Sequence, residues 1–317
     1  MQNTGNKYLN FLLKYNIYLV FLLLFIICSV ISEDFFTLGN LVNISQQNAG
    51  IVIISMGMLL VILTGGIDLS VGSVMALGCV VCAYALKNWG LSIPISALLA
   101  VIVGGCAGLF TGFLIAKAKL APFIASLAMM TMAKGIAFMI SNGAPIITAQ
   151  KTISKLGTAR IFPWLTALTL IAIIVVLIIW FVLRYTSYGR IVVAIGSNEE
   201  AIHLSGIAVK PHVISVYAIS GMCSALAGVL AASRTGIGTA SVGTGMELDC
   251  IAACVIGGVS LSGGIGSPIK TVIGVLSLAL IGNIMNLLAV PSYPQDVIRG
   301  LIIILAVVLQ QITSKTK

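Results

Sequence analysis

Long apolar runs joined by short polar connections fill the chain. They occupy residues 17–31, 48–64, 69–86, 93–116, 122–140, 164–183, 213–232, 248–261, 269–288 and 297–312. A helix of about 20 apolar residues crosses the hydrocarbon core of a bilayer, so the pattern predicts an all-α polytopic membrane protein. About ten transmembrane helices are expected in one domain, residues 1–317. The first run follows Lys7 and Lys14 and precedes Glu33 and Asp34 without a small-residue cleavage site. It therefore reads as a retained helix and not as a removed signal peptide. Only two polar connections are long, residues 142–163 and 185–211, and ten spans place them on opposite faces of the membrane.

Two glycine-rich interruptions resemble one another. Gly65-Gly66-Ile67-Asp68-Leu69-Ser70 and Gly257-Gly258-Val259-Ser260-Leu261-Ser262 each close an apolar run. Internal repeats with interrupted helices are common in transporters, where they meet at the solute path; a chance match in a glycine-rich chain is the other reading. Glycines at 104, 105, 108 and 112 suit close helix packing, whereas a break also frees backbone groups to line a cavity. Ionisable residues at membrane depth are few: Asp68, Lys134, Glu247, Asp249 and Arg299, with Asp296 near an end. Each costs about 2.5–3.5 kcal/mol at a helix centre, so each should face protein or water. Asp68 is expected to cap a helix starting at Leu69 or to touch solute. Gly65, Gly66, Asp68, Ser70, Glu247, Asp249, Gly257 and Gly258 are the candidates for the translocation pathway.

Composition removes other classes. Of 317 residues 59% are hydrophobic and 8% charged, against about 25% charged in soluble domains, which leaves no room for a soluble enzyme. The 17 Lys+Arg against 8 Asp+Glu, net +9, are scattered singly and form no nucleic-acid face. Threading the chain with its N-terminus in the cytoplasm puts Lys7, Lys14, Lys117, Lys119, Arg184, Arg190, Lys210, Lys315 and Lys317 inside. Lys87, Lys151, Lys155, Arg160 and Arg234 fall outside, an asymmetry that favours N-in and C-in. The seven cysteines sit mostly in apolar runs, Cys79-x-x-Cys82 included, and the two histidines, His203 and His212, share one polar stretch. Neither a disulfide framework nor a metal site is expected. Gly263 to Thr271 imitates a phosphate loop, but Ile269 stands where a glycine must precede the lysine. With no nucleotide, Gly-x-Ser-x-Gly or metal-spaced motif, no catalytic residue and no bound cofactor are expected. Energy must come from an ion gradient or from a separate ATPase. A secondary transporter, a permease subunit and a membrane scaffold all remain open on these grounds. The 185–211 connection carries Ala201, Leu204 and Ile207 at helical spacing, a short surface helix that a soluble motor would grip.

The ordered motifs resemble the ribose-type sugar permeases of bacterial ABC importers. They are Leu63-Thr64-Gly65-Gly66-Ile67-Asp68-Leu69-Ser70-Val71-Gly72-Ser73, Pro122 to Leu127, Ala194 to Ile207, Gly245-Met246-Glu247-Leu248-Asp249-Cys250, Gly257 to Gly266, and Asn283-Ile284-Met285-Asn286. The resemblance implies a monosaccharide permease in the bacterial cytoplasmic membrane. It also implies partners: a second permease copy or paralogue, ATP-binding subunits that hold the ATP, and an extracytoplasmic sugar-binding protein. In similar permeases the segment matching Asn198, Glu199, Glu200, Ala201, Leu204, Ser205 and Gly206 couples to the ATPase. This chain departs there, with Ala201-Ile202-His203 where Ala-Ala-Arg is usual, and has Lys134 where an arginine is usual.

Overall fold

The computed structural model describes residues 4–148 and 153–315; Lys151 and Lys317 lie outside them. The order is α1 (Thr4–Ile31), α2 (Leu38–Leu63), α3 (Val71–Asn88), α4 (Ile93–Ala116), α5 (Pro122–Ser141), β1 (Ile146–Ile147), α6 (Ser154–Thr158), β2 (Arg160–Phe162), β3 (Leu165–Thr166) and α7 (Ala167–Tyr185). It continues with α8 (Ser187–Ser197), α9 (Glu199–Leu204), α10 (Val209–Thr235), β4 (Ile237–Gly238), α11 (Met246–Ile256), α12 (Pro268–Leu287) and α13 (Ser292–Lys315). Seven helices, α2–α5, α7, α10 and α12, are long and apolar enough to cross a membrane. The remaining predicted runs fall on α1, α11 and α13. Proline at the first or second position opens α4, α5 and α12, where a missing amide proton costs nothing.

Two expected spans depart from the hydropathy pattern, one shifted along the chain and one shortened. The run at 69–86 becomes helical only at Val71, because Gly65 at φ +79° turns the chain out of α2 and residues 66–70 stay non-helical. The run at 248–261 is helical only to Ile256, where Gly257 and then Gly258 at φ +77° end α11. Its 11 residues reach about 16 Å, half of a hydrocarbon core, so α11 does not span by itself.

Helix α10 is the hub, packed against α2, α3 and α4. It runs antiparallel to α4: Gly104, Gly108 and Gly112 meet Gly221, Tyr217 and Ile214 in turn, and a methyl group on Gly112 would lie 2.8 Å from Ile214 Cα. Four-residue spacing puts these glycines on one stripe, and lipid supplies no competing hydrophobic drive, so backbone approach is what holds the pair. Cys79 and Cys82 lie buried on α3 within this packing, behaving as small apolar side chains.

The ends of the bundle differ. At one end β1 pairs antiparallel with β4, tying the 142–163 connection to the α10–α11 link. There too α6 packs on the C-terminal end of α10, Gly157 against Ser233. At the other end α8 lies across the bundle with Gly189 against Val182 and Leu183 of α7. From the helix directions, Lys87, Lys155, Arg160 and Arg234 gather at the first end, and Lys117, Lys119, Arg184, Arg190 and Lys210 at the second.

Candidate functional site

The segment predicted to dock a motor folds as a capped, projecting helix. Asn198 is the N-cap of α9, its side-chain oxygen accepting from Ala201 N at 2.9 Å. Glu199 and Glu200 occupy the first turn, where the helix dipole favours them. Gly206 at φ +79° closes the other end: its amide donates to His203 O at 3.0 Å and that of Ile207 to Ile202 O at 3.4 Å. This is the two-bond glycine stop of a Schellman motif. Asn198, Glu199, Glu200, Ala201, Leu204, Ser205 and Gly206 are all exposed, and Leu204 is 79% exposed.

Helix α8 connects this surface to the glycine breaks. Its Val192 and Ile195 are buried, and Gly196 sits directly against Leu63 O and Gly264 N. Gly264 N donates to Leu63 O at 3.0 Å. A Cβ on Gly263 would lie 2.8 Å from Gly196 Cα and 3.0 Å from Gly65 N. The end of α2, the loop after α11 and the last turn of α8 therefore share one backbone junction. The two interruptions singled out in the sequence meet at one edge, where a Cβ on Gly65 would lie 3.8 Å from Ser262 O, and the closer contacts are made by Gly263 and Gly264 just beyond the second one. Gly257 stands apart, packed on Lys270 and Thr271 of α12, and Gly258 forms the adjoining turn.

Beyond the junction the first break is fastened to α10. Asp68 is 2% exposed. Its Oδ1 accepts from Ser70 N at 3.0 Å and Ser70 Oγ at 2.6 Å, and its Oδ2 accepts from Ser220 Oγ at 2.8 Å. The carboxylate thus closes a turn two residues ahead of itself, because the helix starts at Val71 and not at Leu69. Tyr217 lies one turn away, its hydroxyl donating to Ile67 O at 3.4 Å. Ser220 and Tyr217 were not legible as site residues: in the sequence each is one polar position in a mostly apolar helix.

Glu247 and Asp249, both in the first turn of α11, part company. Glu247 reaches the start of α3, Oε2 lying 2.7 Å from where a Cβ of Gly72 would be. Asp249 instead faces a cavity of about 310 Å³ between α2, α11, α12, α13 and the end of α10. Arg299 of α13 lines the same cavity, and its charge acts on the Asp249 carboxylate. Around them a side-chain amide network holds α12 in place: Asn40 and Asn283 exchange bonds of 3.0 and 2.8 Å, and Gln295 donates to Asn286 Oδ1 at 2.9 Å.

Residues 40–307 match the family model described as branched-chain amino acid transport system / permease component. The ribose import permease protein RbsC of Escherichia coli K12 is 39% identical over 316 residues, covering 96% of this chain and 97% of the relative. That of Bacillus subtilis is 38% identical over 303 residues, covering 91% and 90%. The L-arabinose transport system permease protein AraH of E. coli K12 is 36% identical over 309 residues, covering 96% and 92%. No solved structure matches.

Proposed function

Because the chain belongs to the branched-chain amino acid transport system / permease component family, we propose that it is the multi-pass permease subunit of an ABC importer carrying a monosaccharide across a bacterial cytoplasmic membrane. The observation that carries this reading is 36–39% identity to ribose and arabinose permeases along nearly the whole length. The family description names amino acids, whereas the relatives named above carry ribose and L-arabinose in their names, and the relatives decide the solute class here. ATP is bound and hydrolysed by a separate subunit docked on α9, an extracytoplasmic binding protein delivers sugar at the β1–β4 end, and a second permease copy or paralogue completes the path. The topology is about ten crossings, N-in and C-in, with α11 and the non-helical 257–267 segment together making one crossing.

The mechanism follows from the junction. A push on α9 is carried by α8 into Gly196 and from there into the backbone of Leu63, Gly65 and Gly264. Close-packed backbone has no side chain to absorb displacement, and packed interfaces switch between discrete arrangements and do not deform smoothly. Both glycine breaks then move together, and Asp68, bound to α10, passes the motion to the hub helix. An ion-gradient carrier would need a carboxylate free to exchange protons. Asp68 is instead tied by three donors, which favours the ATP-driven reading.

Reconstitution decides it. Vesicles holding the chain alone should take up neither D-ribose nor L-leucine, with or without a proton or sodium gradient. Adding the ATPase, the binding protein and internal ATP should give uptake of D-ribose or another aldose. Gradient-driven uptake by the isolated chain, or ATP-driven uptake of leucine alone, would overturn the proposal.

A further inference from the structure

Resting on the importer reading, we infer that the cavity between α2, α11, α12 and α13 is a binding site for a neutral polyhydroxy solute, a station inside the permease on the side where the binding protein releases its cargo. The size fits: about 310 Å³ lies at the small end of the roughly 300–1,000 Å³ of small-molecule sites. The position fits as well. Ile44, Gln47 and Asn48 lie in the half of α2 farther from Leu63, and Arg234 stands just before β4, so the cavity belongs to the end opposite α9.

The chemistry of the wall is that of hydroxyl recognition. Asp249 offers two acceptor oxygens, Arg234 and Arg299 offer donors, and Asn48 and Asn286 offer amides. Some of this capacity is already used: Asn48 Nδ2 donates to Ile44 O at 2.8 Å, and Asn286 Oδ1 accepts from Gln295. What remains faces the cavity. Asn286 Nδ2, the Asp249 carboxylate and both guanidinium groups make no hydrogen bond among the described residues. Charged groups at this depth cost several kcal/mol facing lipid and are kept where they line a solute path. The two arginines of the wall are balanced by Asp249 and by Asp296, whose charge reaches the same carboxylate, which leaves directional donors and acceptors and suits a solute with many hydroxyls and no net charge.

The test binds sugar to the purified full-length chain in lipid nanodiscs, read by saturation-transfer NMR with D-ribose, L-arabinose and D-xylose, and with D-ribose 5-phosphate as the anionic counterpart. At least one neutral aldose should bind the parent chain and outcompete the phosphate. Asn286→Ala and Asp249→Asn should each weaken it roughly threefold to tenfold, the loss of one or two hydrogen bonds. Ile302→Trp, which narrows the cavity and leaves every polar group in place, should abolish binding. Chains that elute as one species with unchanged melting temperature qualify for comparison, and any one of the three variants suffices. No aldose binding, binding of the phosphate alone, or variants that bind like the parent would overturn the inference. Uptake by the complete reconstituted importer is measured in parallel: sugar import that persists unchanged in all three variants removes the site and leaves the importer reading intact.

Discussion

At the scale of single residues, Asp68 shows how a buried carboxylate is held without a cation. Both bonds from Ser70 end on Oδ1, and only Ser220 reaches Oδ2. An asparagine keeps the first two, and its amide donates to Ser220 Oγ, since a hydroxyl works in either direction. Asp68→Asn should therefore assemble normally and retain substantial ATP-driven uptake, whereas Asp68→Ala, which strands three donors, should lose about 3 kcal/mol of stability. Thermal unfolding in detergent and vesicle uptake check the pair; complete loss of uptake in a well-assembled Asp68→Asn chain would point to a proton-carrying carboxylate. The importance of Asp68 was legible because a lone acid between apolar runs is costly. Its partner was not, because Ser220 is bound across 152 positions of sequence and a serine inside an apolar helix sends no signal of direction.

At the scale of elements, glycines that look alike in the sequence do different work. Gly108 faces the Tyr217 carbonyl with no space for a methyl group, while Gly135 on α5 has nothing within 4 Å. Gly108→Ala should destabilise by about 1–3 kcal/mol through overpacking. Gly135→Ala should be neutral or stabilise by up to about 1 kcal/mol through helix propensity. Melting curves of the purified chain compare them directly. Helix α9 depends on glycine for another reason, its positive φ at 206. Gly206→Val, strained there by about 1–2 kcal/mol, should leave expression intact and uncouple ATP hydrolysis from uptake, while Gly206→Asn, which tolerates that conformation, should stay coupled. Normal transport in the valine variant would remove α9 from the coupling role. Helix starts at Ile93 and Pro122 were readable to the residue because a proline or a polar break marks them. The ends of α3 and α11 were not, because hydropathy continues through a glycine turn that changes the backbone and not the polarity.

At the scale of the whole molecule, the separation of basic residues into two ends predicts a definite orientation. Lys155 and Glu200 are both exposed and stand at opposite ends. After Cys106, the one exposed native thiol, is changed to serine, Lys155→Cys should react with an impermeant maleimide from outside and Glu200→Cys only after the membrane is opened. Labelling of both from one side would refute the N-in arrangement. The family was legible from local motifs, and so was the short exposed helix at 199–204, but the convergence of α2, α8 and the loop after α11 on one junction is a property of tertiary packing that no local pattern carries. The shortness of α11 also bears on how the chain is made. A half-length helix ending in a double-glycine turn is a poor stop for insertion machinery that partitions one span at a time, so α11 has to wait for α12 and enter the bilayer with it as a hairpin. Nascent chains arrested after Gly266 should leave Asp249 accessible to water-borne reagents, and chains extended past Leu288 should protect it.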